Sequence, residues 1–313
     1  MKAIIVRQYG EPEVMKLEEV STPNVGTSQV LVKVKSAGVN PVDTYIRAGS
    51  YATKPNLPYT PGKDASGIVE QIGENVTKLK VGDRVFTTDS GSGTYAEFVV
   101  CDENHIQSLP ENVSFNQGAG IFVPYATAFR ALFQKAKVKK GETVLIHGAS
   151  GGVGIAAIQF AKNAGLKVIG TASSEKGLEL IKEQGCDMAL NHSEPNYLNE
   201  ISADVIIEML ANVNLVKDFD ALKMFGRIVV VGNRGSLDFN PRLTMGKDAT
   251  IYGLALFNYS KEDEAEIKDE IFKGLAEGYL NPIVGKTFKL AEAAKAHREV
   301  IESKAFGKII LEI

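Results

Sequence analysis

Cysteine is scarce in this sequence. Cys101 and Cys186 are the two present in 313 residues, far apart and in no metal-ligand spacing. That excludes a disulfide framework and fits a reducing compartment. Histidine is limited to four residues, and no Ser/His/Asp or Cys/His set suggests covalent catalysis. Long apolar runs are missing, so no membrane span is expected. The opening stretch MKAIIVRQYGEPE becomes charged too soon for a signal peptide, and a cytoplasmic location is expected. Positive charge is not in excess: the formal net charge is −3, which argues against nucleic acid as the main partner while leaving a local basic patch possible. No internal repeat or low-complexity tract is visible. What remains is an ordinary composition, 44% hydrophobic and 23% charged, long enough for two domains with a sizeable core.

Two rhythms divide the chain. Over residues 1–123, short apolar or alternating runs such as QVLVKVKSAGV, ASGIVEQIG and YAEFVV are bounded by Gly, Pro, Asp or Asn, which predicts a mostly β domain. From TVLIHG onward, strands alternate with helical segments. GVGIAAIQFAKNAG reads as a helix ending at Gly165, LKVIGTA as a strand, SEKGLELIKEQG as a helix ending at Gly185, and RIVVVG as a doubly buried strand. This predicts an α/β domain with a parallel, doubly wound sheet. ATIYGLALF, residues 249–257, is expected as its last strand. SKEDEAEIKDEIFKGLAEG reads as a helix with Ala265, Ile267, Ile271, Phe272 and Leu275 on one side and a solvated charged face opposite. AFGKIILEI predicts a final strand that returns to the first domain.

The segment HGASGGVG sits between a strand and a helix. Ala149, Gly151 and Gly154 occupy the three glycine positions of a dinucleotide fingerprint. With Ser150, Gly152 and Val153 they form a turn whose main chain can approach pyrophosphate. The helix N-terminus adds free N–H groups and positive partial charge. An NAD site places an acid at the end of the next strand to hold the ribose hydroxyls. Here that position reads TASSEKG: Ser173 and Ser174 can donate hydrogen bonds and Lys176 can pair with a 2′-phosphate, so NADPH is favoured, with Glu175 as the contrary signal. Ser173 or Ser174 could equally do no more than cap the following helix.

Over essentially its whole length the chain resembles the zinc-free medium-chain dehydrogenase/reductase family, in its zeta-crystallin-like branch of NADPH:quinone oxidoreductases. The segments carrying the resemblance include AGVNPVDTYIRAGSY, LPYTPGKDASGIVEQIG, PYATAFRAL, HGASGGVG, IIEMLANVNL and GRIVVVGNRG. The resemblance implies a GroES-like, mostly β catalytic domain from residues 1–123 and 260–313, and a Rossmann domain over 124–259. It implies that Asn40, Tyr45 and Tyr51 meet the substrate, and that Thr127, Gly232 and Asn233 lie near the nicotinamide. His192 would approach the adenosine phosphate; alone it reads as a surface-loop residue. His147 is expected as a structural strand-end residue and His297 on the surface.

Zinc-dependent relatives carry Cys-x-x-Asp and Gly-His-Glu where this chain has Asn40-Pro-Val-Asp43 and Gly62-Lys63-Asp64, and the four-cysteine lobe is also missing. The expectation is therefore no metal. Alcohol oxidation profits from a Lewis acid, whereas a quinone is electrophilic and needs an aligned hydride donor. The implied function is NADPH-dependent quinone reduction by a homodimer or homotetramer. Two alternatives stay open: reduction of a conjugated C=C bond in an alkenal or enoyl thioester, and a structural crystallin-like or AU-rich RNA-binding role that merely retains NADPH.

Overall fold

The computed structural model describes residues 1–302 and 306–313. The first third of the chain forms strands β1 (Lys2–Val6), β2 (Met15–Glu19) and β3 (Gln29–Val39), helix α1 (Pro41–Ala48), strands β4 (Asp64–Ile72), β5 (Arg84–Thr87), β6 (Phe98–Asp102) and β7 (Ile106–Ser108), then helices α2 (Phe115–Gly118) and α3 (Phe122–Phe129). The middle alternates as β8 (Thr143–Ile146), α4 (Gly152–Asn163), β9 (Lys167–Ala172), α5 (Glu175–Glu183), β10 (Met188–Asn191), β11 (Ala203–Glu208), α6 (Ala211–Ala221), β12 (Leu222–Val230), α7 (Arg242–Met245) and β13 (Thr250–Gly253). The last part comprises α8 (Lys261–Glu277), β14 (Val284–Lys289), α9 (Ala293–Glu302) and β15 (Lys308–Glu312). Ala305, at the start of the expected final strand, lies outside the described residues.

Two compact units result. One gathers Met1–Val123 with 282–302 and 307–313; the other is built from Pro124–Asn281 with Phe306. The helix α8 and the chain up to Asn281, grouped from the sequence with the first domain, belong to the second unit. The physical reason is local: Ile267, Ile271 and Leu275 are buried, the Gln134 amide donates to the Asp263 carbonyl and to Glu266, and the Gln159 amide donates to the Asn281 carbonyl. Of the apolar side expected for α8, Ala265 and Phe272 are exposed, so the buried stripe is narrower.

The first unit is a seven-stranded sheet in the order β14-β15-β3-β4-β5-β7, with β6 also on β3, accompanied by the β1–β2 hairpin. β3 is central because eight of its eleven residues are buried and it pairs with β4, β6 and β15. The C-terminal strand thus closes a sheet that the N-terminal third begins.

The second unit is a six-stranded sheet in the order β10-β9-β8-β11-β12-β13, and every pair in it is parallel. Written from β8 outward this is the 3-2-1-4-5-6 order of the Rossmann fold, whose crevice lies where the order reverses, between β8 and β11. The strands there are buried almost continuously, as covering helices on both faces require. β13 is shorter than the ATIYGLALF run, covering Thr250–Gly253 at the sheet edge. Among the described residues no helix is long and apolar enough to cross a membrane.

Candidate functional site

The glycine turn joins the C-terminal end of β8 to α4. Its sharpest bend is at Gly148, with φ of +55°, a conformation that disfavours a side chain. Ala149 follows with its N–H on the Thr171 carbonyl at 2.8 Å. Gly154, one turn into α4, lies so close to this bend that a Cβ there would sit 2.5 Å from the Ala149 Cα. Helix and turn can pack this tightly only with glycine at 154. Gly151 is the N-cap of α4 and no side chain caps it, so the first N–H groups beside Gly152 and Val153 are left for a ligand. Ser150 is nearly buried within the turn, 6% exposed.

Thr171, which was not singled out from the sequence, ties this turn to its neighbours. It is fully buried; its hydroxyl accepts from the Gly148 N–H at 3.2 Å and meets His192 Nδ1 at 3.1 Å. His192 is therefore more than a free loop residue, and partial burial together with His147 lowers its pKa. Ser174 caps α5, accepting from the Gly177 N–H at 3.3 Å. The capping role and a phosphate-binding role are compatible, since the hydroxyl can still donate. Lys176 is exposed in the first turn of α5, its ammonium 4.9 Å from the Phe306 ring centre. Ser173 lies in the bend between β9 and α5.

Beneath the switch point sits a buried triad. His147 Nε2 is 2.8 Å from Asp218 Oδ1 and 3.5 Å from Glu208 Oε2, and the three side chains are at most 3% exposed. Burial lowers the imidazole pKa and raises both carboxyls to about 7. Burial thus favours the neutral imidazole and makes both carboxyls hold their protons more tightly than in water. Glu208 also accepts from the Leu210 N–H and, at 3.2 Å, from the Asn214 amide, while its main-chain carbonyl accepts from Val231 and Gly232. Gly232 approaches the Met209 carbonyl so closely that a Cβ would be 2.2 Å from it. Asn233 is exposed, and its amide bonds the Gly235 carbonyl at 2.5 Å. Thr127 is buried on α3 within the second unit. The triad spans 71 positions of chain, so no local spacing could reveal it.

Asn40 occupies a different setting, in the first unit. It is the N-cap of α1 and 3% exposed; its N–H donates to Asp43 Oδ2 at 2.9 Å. Its side-chain amide donates to Asp64 Oδ2 at 3.0 Å, and its side-chain oxygen accepts from the Lys308 ammonium. Lys308 also pairs with Asp64 Oδ2 at 2.9 Å, and the other Asp64 oxygen accepts from the Val123 N–H at 3.0 Å. Asn40, Asp64 and Lys308 thus form a closed, buried, charge-balanced cluster. Asp43 extends it: Tyr95 donates its hydroxyl to Asp43 at 3.2 Å and meets His297 Nε2 at 3.2 Å. Burial pushes the Asp43 carboxyl up to about 6 and the His297 imidazole down to about 3. His297, expected on the surface, is 1% exposed. The reason is that α9 turns it inward onto Tyr95. Tyr45 on α1 and Tyr51 just after it are half-buried, near Asn40 in sequence but outside this cluster. Lys63 pairs instead with Asp89 at 2.5 Å.

Comparison with known proteins gives consistent relatives. The model of the alcohol dehydrogenase GroES-like domain matches residues 26–111, and that of the zinc-binding dehydrogenase matches 152–273. The human protein named quinone oxidoreductase is 47% identical over 99% of this chain and 97% of its own length. Among solved structures, the Escherichia coli quinone oxidoreductase complexed with NADPH superposes with a TM-score of 0.91 at 27% identity, covering 100% of both chains. The Pseudomonas syringae quinone oxidoreductase does so at 0.91 and 31% identity, over 100% of this chain and 99% of that one.

Proposed function

The chain belongs to the zeta-crystallin-like quinone oxidoreductases of the medium-chain dehydrogenase/reductase family, and we propose that it reduces quinones with NADPH and without a catalytic metal. The observation that carries this reading is the uncapped N-terminus of α4, held against Ala149 where Gly154 has no side chain. A twelve-residue helix ending in free N–H groups at a Rossmann switch point suits a pyrophosphate. Bound there, NADPH would supply the hydride.

The chain's own residues bind and orient. The N–H groups following Gly151 hold the pyrophosphate; Ser173, Ser174 and Lys176 receive the 2′-phosphate; His192 stands beside them through Thr171. Thr127, Gly232 and Asn233 orient the nicotinamide end, and Asn40, Tyr45 and Tyr51 receive the quinone. Tyrosine faces offer a flat apolar surface and hydroxyls to a quinone ring. The metal-free reading is supported by Lys308: its ammonium sits on Asn40 and Asp64, the positions that match metal-site segments in zinc-dependent relatives, so a cation is already supplied by the protein. The site then works by placement, with no single essential general acid. The chain acts in the cytoplasm and self-associates through the edge of β13, which among the described residues pairs only with β12; sedimentation at micromolar concentration should find no stable monomer.

Stopped-flow oxidation of bound NADPH against quinones, enals and enoyl thioesters tests the assignment. Quinones are expected to react fastest; an enoyl thioester or enal outrunning them would shift the assignment to C=C reduction. A gel shift with AU-rich RNA at physiological salt, expected to be blank, tests the remaining alternative.

A further inference from the structure

The amino ends of the parallel strands in the second unit carry an exposed apolar knob. β11 and β12 fall out of register there: Ala203 pairs with Leu222 but Val205 with Arg227, so residues 223–226 bulge out of the ladder. Met224 and Phe225 lie in this bulge, 53% and 70% exposed. Phe225 has φ of +60°, a backbone conformation that favours glycine and is costly for a bulky side chain. Its N–H donates to the Lys247 carbonyl at 2.7 Å, which brings alongside the end of α7, where Met245 is 73% exposed. Glycine at 225 would relieve the backbone and take apolar surface out of water, so the fold itself has no use for this side chain. Exposed apolar groups gathered in this way mark an interaction surface. β12 already has a neighbour on each side, so strand pairing at the β13 edge does not cover the bulge.

The same end is rich in cations. The chain has no acid between Asn112 and Gly141, and Lys137, Lys139 and Lys140 stand exposed in the connection that enters β8. Lys167, the first residue of β9, is exposed too. Bonds tie this connection to the bulge. Arg227 donates to the Ala136 carbonyl at 3.1 Å and pairs with Glu142 at 2.8 Å; Lys223 pairs with Asp204, which accepts from the Thr143 N–H, both at 2.8 Å. The Gly141 N–H reaches the Gly165 carbonyl at 3.0 Å, two residues before Lys167. Glu142, Asp204 and Asp187 are thus taken up by Arg227, Lys223 and Lys162, and the four lysines stay outside these ion pairs. Exposed Asp220 and Asp248 are the acids that oppose them.

We propose that this end of the second unit docks on an anionic lipid bilayer, with Met224, Phe225 and Met245 entering the headgroup region and the lysines meeting the lipid phosphates. A nucleic acid would use the lysines but not the apolar tip. The dinucleotide turn lies at the opposite, carboxyl end of the strands, so docking leaves it open, and the surface does not depend on the quinone assignment.

The test sediments the full chain, saturated with NADPH, with vesicles of phosphatidylcholine alone or mixed with phosphatidylglycerol, at about 0.1 M salt. The mixed vesicles should bind roughly tenfold more tightly or better. Phe225→Gly should weaken that binding by roughly tenfold or more, the worth of one apolar side chain leaving water. Lys139→Glu with Lys140→Glu should weaken it at least as much. Neither variant should lower NADPH affinity, the melting temperature or the rate with a water-soluble benzoquinone. Equal binding to both kinds of vesicle, or none, would overturn the proposal. So would undiminished binding by Phe225→Gly with loss on charge reversal alone, which would make the surface a polyanion site such as one for RNA. A lipid-free Phe225→Gly protein that sediments as a smaller species would overturn it as well, and would assign the bulge to a second copy of the chain.

Discussion

In the second unit the candidate site is made mostly of main chain: a glycine bend, a bare helix N-terminus and carbonyls at the ends of parallel strands. In the first unit it is made of side chains, and Asn40 is held by groups 24 and 268 positions away. Main chain can be shaped by a few residues in one short segment. A charge-balanced cluster needs every partner at once, and its partners come from distant strands. The first kind of site tolerates surface variation but not a single extra carbon at Gly154. The second tolerates no loss of any member, because each loss strands a buried charge.

The largest expected effect tests that contrast directly. Lys308→Met leaves Asp64 buried and unpaired, and should cost about 3–5 kcal/mol in a urea melt. Adding Asp64→Asn should recover much of it; a single-variant loss below about 1 kcal/mol would mean the cluster is hydrated and the contrast false. In the second unit, Lys176→Ala should weaken NADPH by roughly ten- to hundredfold, as expected for a lost charge-assisted bond of about 1.5–3 kcal/mol, while NADH barely changes. Equal weakening of both cofactors would place Lys176 elsewhere. Gly154→Ala forces apart helix and turn at a cost of about 1–3 kcal/mol, read as a weaker NADPH Kd with the melting of the first unit unaltered. The smallest effect concerns the quinone side. Tyr45→Phe or Tyr51→Phe, at saturating NADPH, should slow benzoquinone reduction by no more than about tenfold, the worth of one hydrogen bond. A loss beyond a hundredfold would reveal a positioned acid.

The pH dependence sharpens the same comparison. His297 has a folded pKa below its unfolded value, so its contribution is full above about 6.5 and is lost as pH falls towards 3. Glu208 and Asp218 are shifted upward, so their contribution is present below their unfolded values and is lost as pH rises to about 7, at about 1.4 kcal/mol per pH unit for each proton. Glu208→Gln should flatten the stability profile between about pH 4.5 and 7; His297→Gln should soften the acid side. An unchanged profile in Glu208→Gln would mean that its carboxyl is already ionised in the folded chain.

How much was legible in the sequence follows from how each part is built. The parallel sheet was readable because its strands are short, apolar and separated by helices with glycine stops at Gly165 and Gly185, both with positive φ. The dinucleotide turn was readable because its residues are contiguous. Thr171, Lys308, Glu208 and Asp218 were not singled out, and Asp64 and His147 were read without their buried partners. Their partners are set by which strands become neighbours, and a charged residue in an apolar strand such as KIILEI signals only that some partner exists. His297 was misread for the same reason: α9 has a charged outer face, and only the position of Tyr95 shows that the imidazole turns inward. The tail of the first domain was drawn too early, at 260, because the sequence of the charged helix α8 does not show that Gln134 bonds Asp263 and Glu266 or that Ile267, Ile271 and Leu275 are buried in the second unit.

One consequence lies in the order of synthesis. The second unit is essentially one continuous stretch of chain, so it can fold as soon as Asn281 has cleared the ribosome. The first unit, though its residues are made first, needs β15 beside β3 and Lys308 beside Asp64. Until the final strand arrives, the central sheet has an open edge and Asp64 lacks its cation. The newborn protein should therefore pass through a stage in which its younger half is native and its older half is still waiting. That stage is where chaperone capture and aggregation are expected to concentrate, and released chains truncated before β15, near residue 300, should expose it to protease.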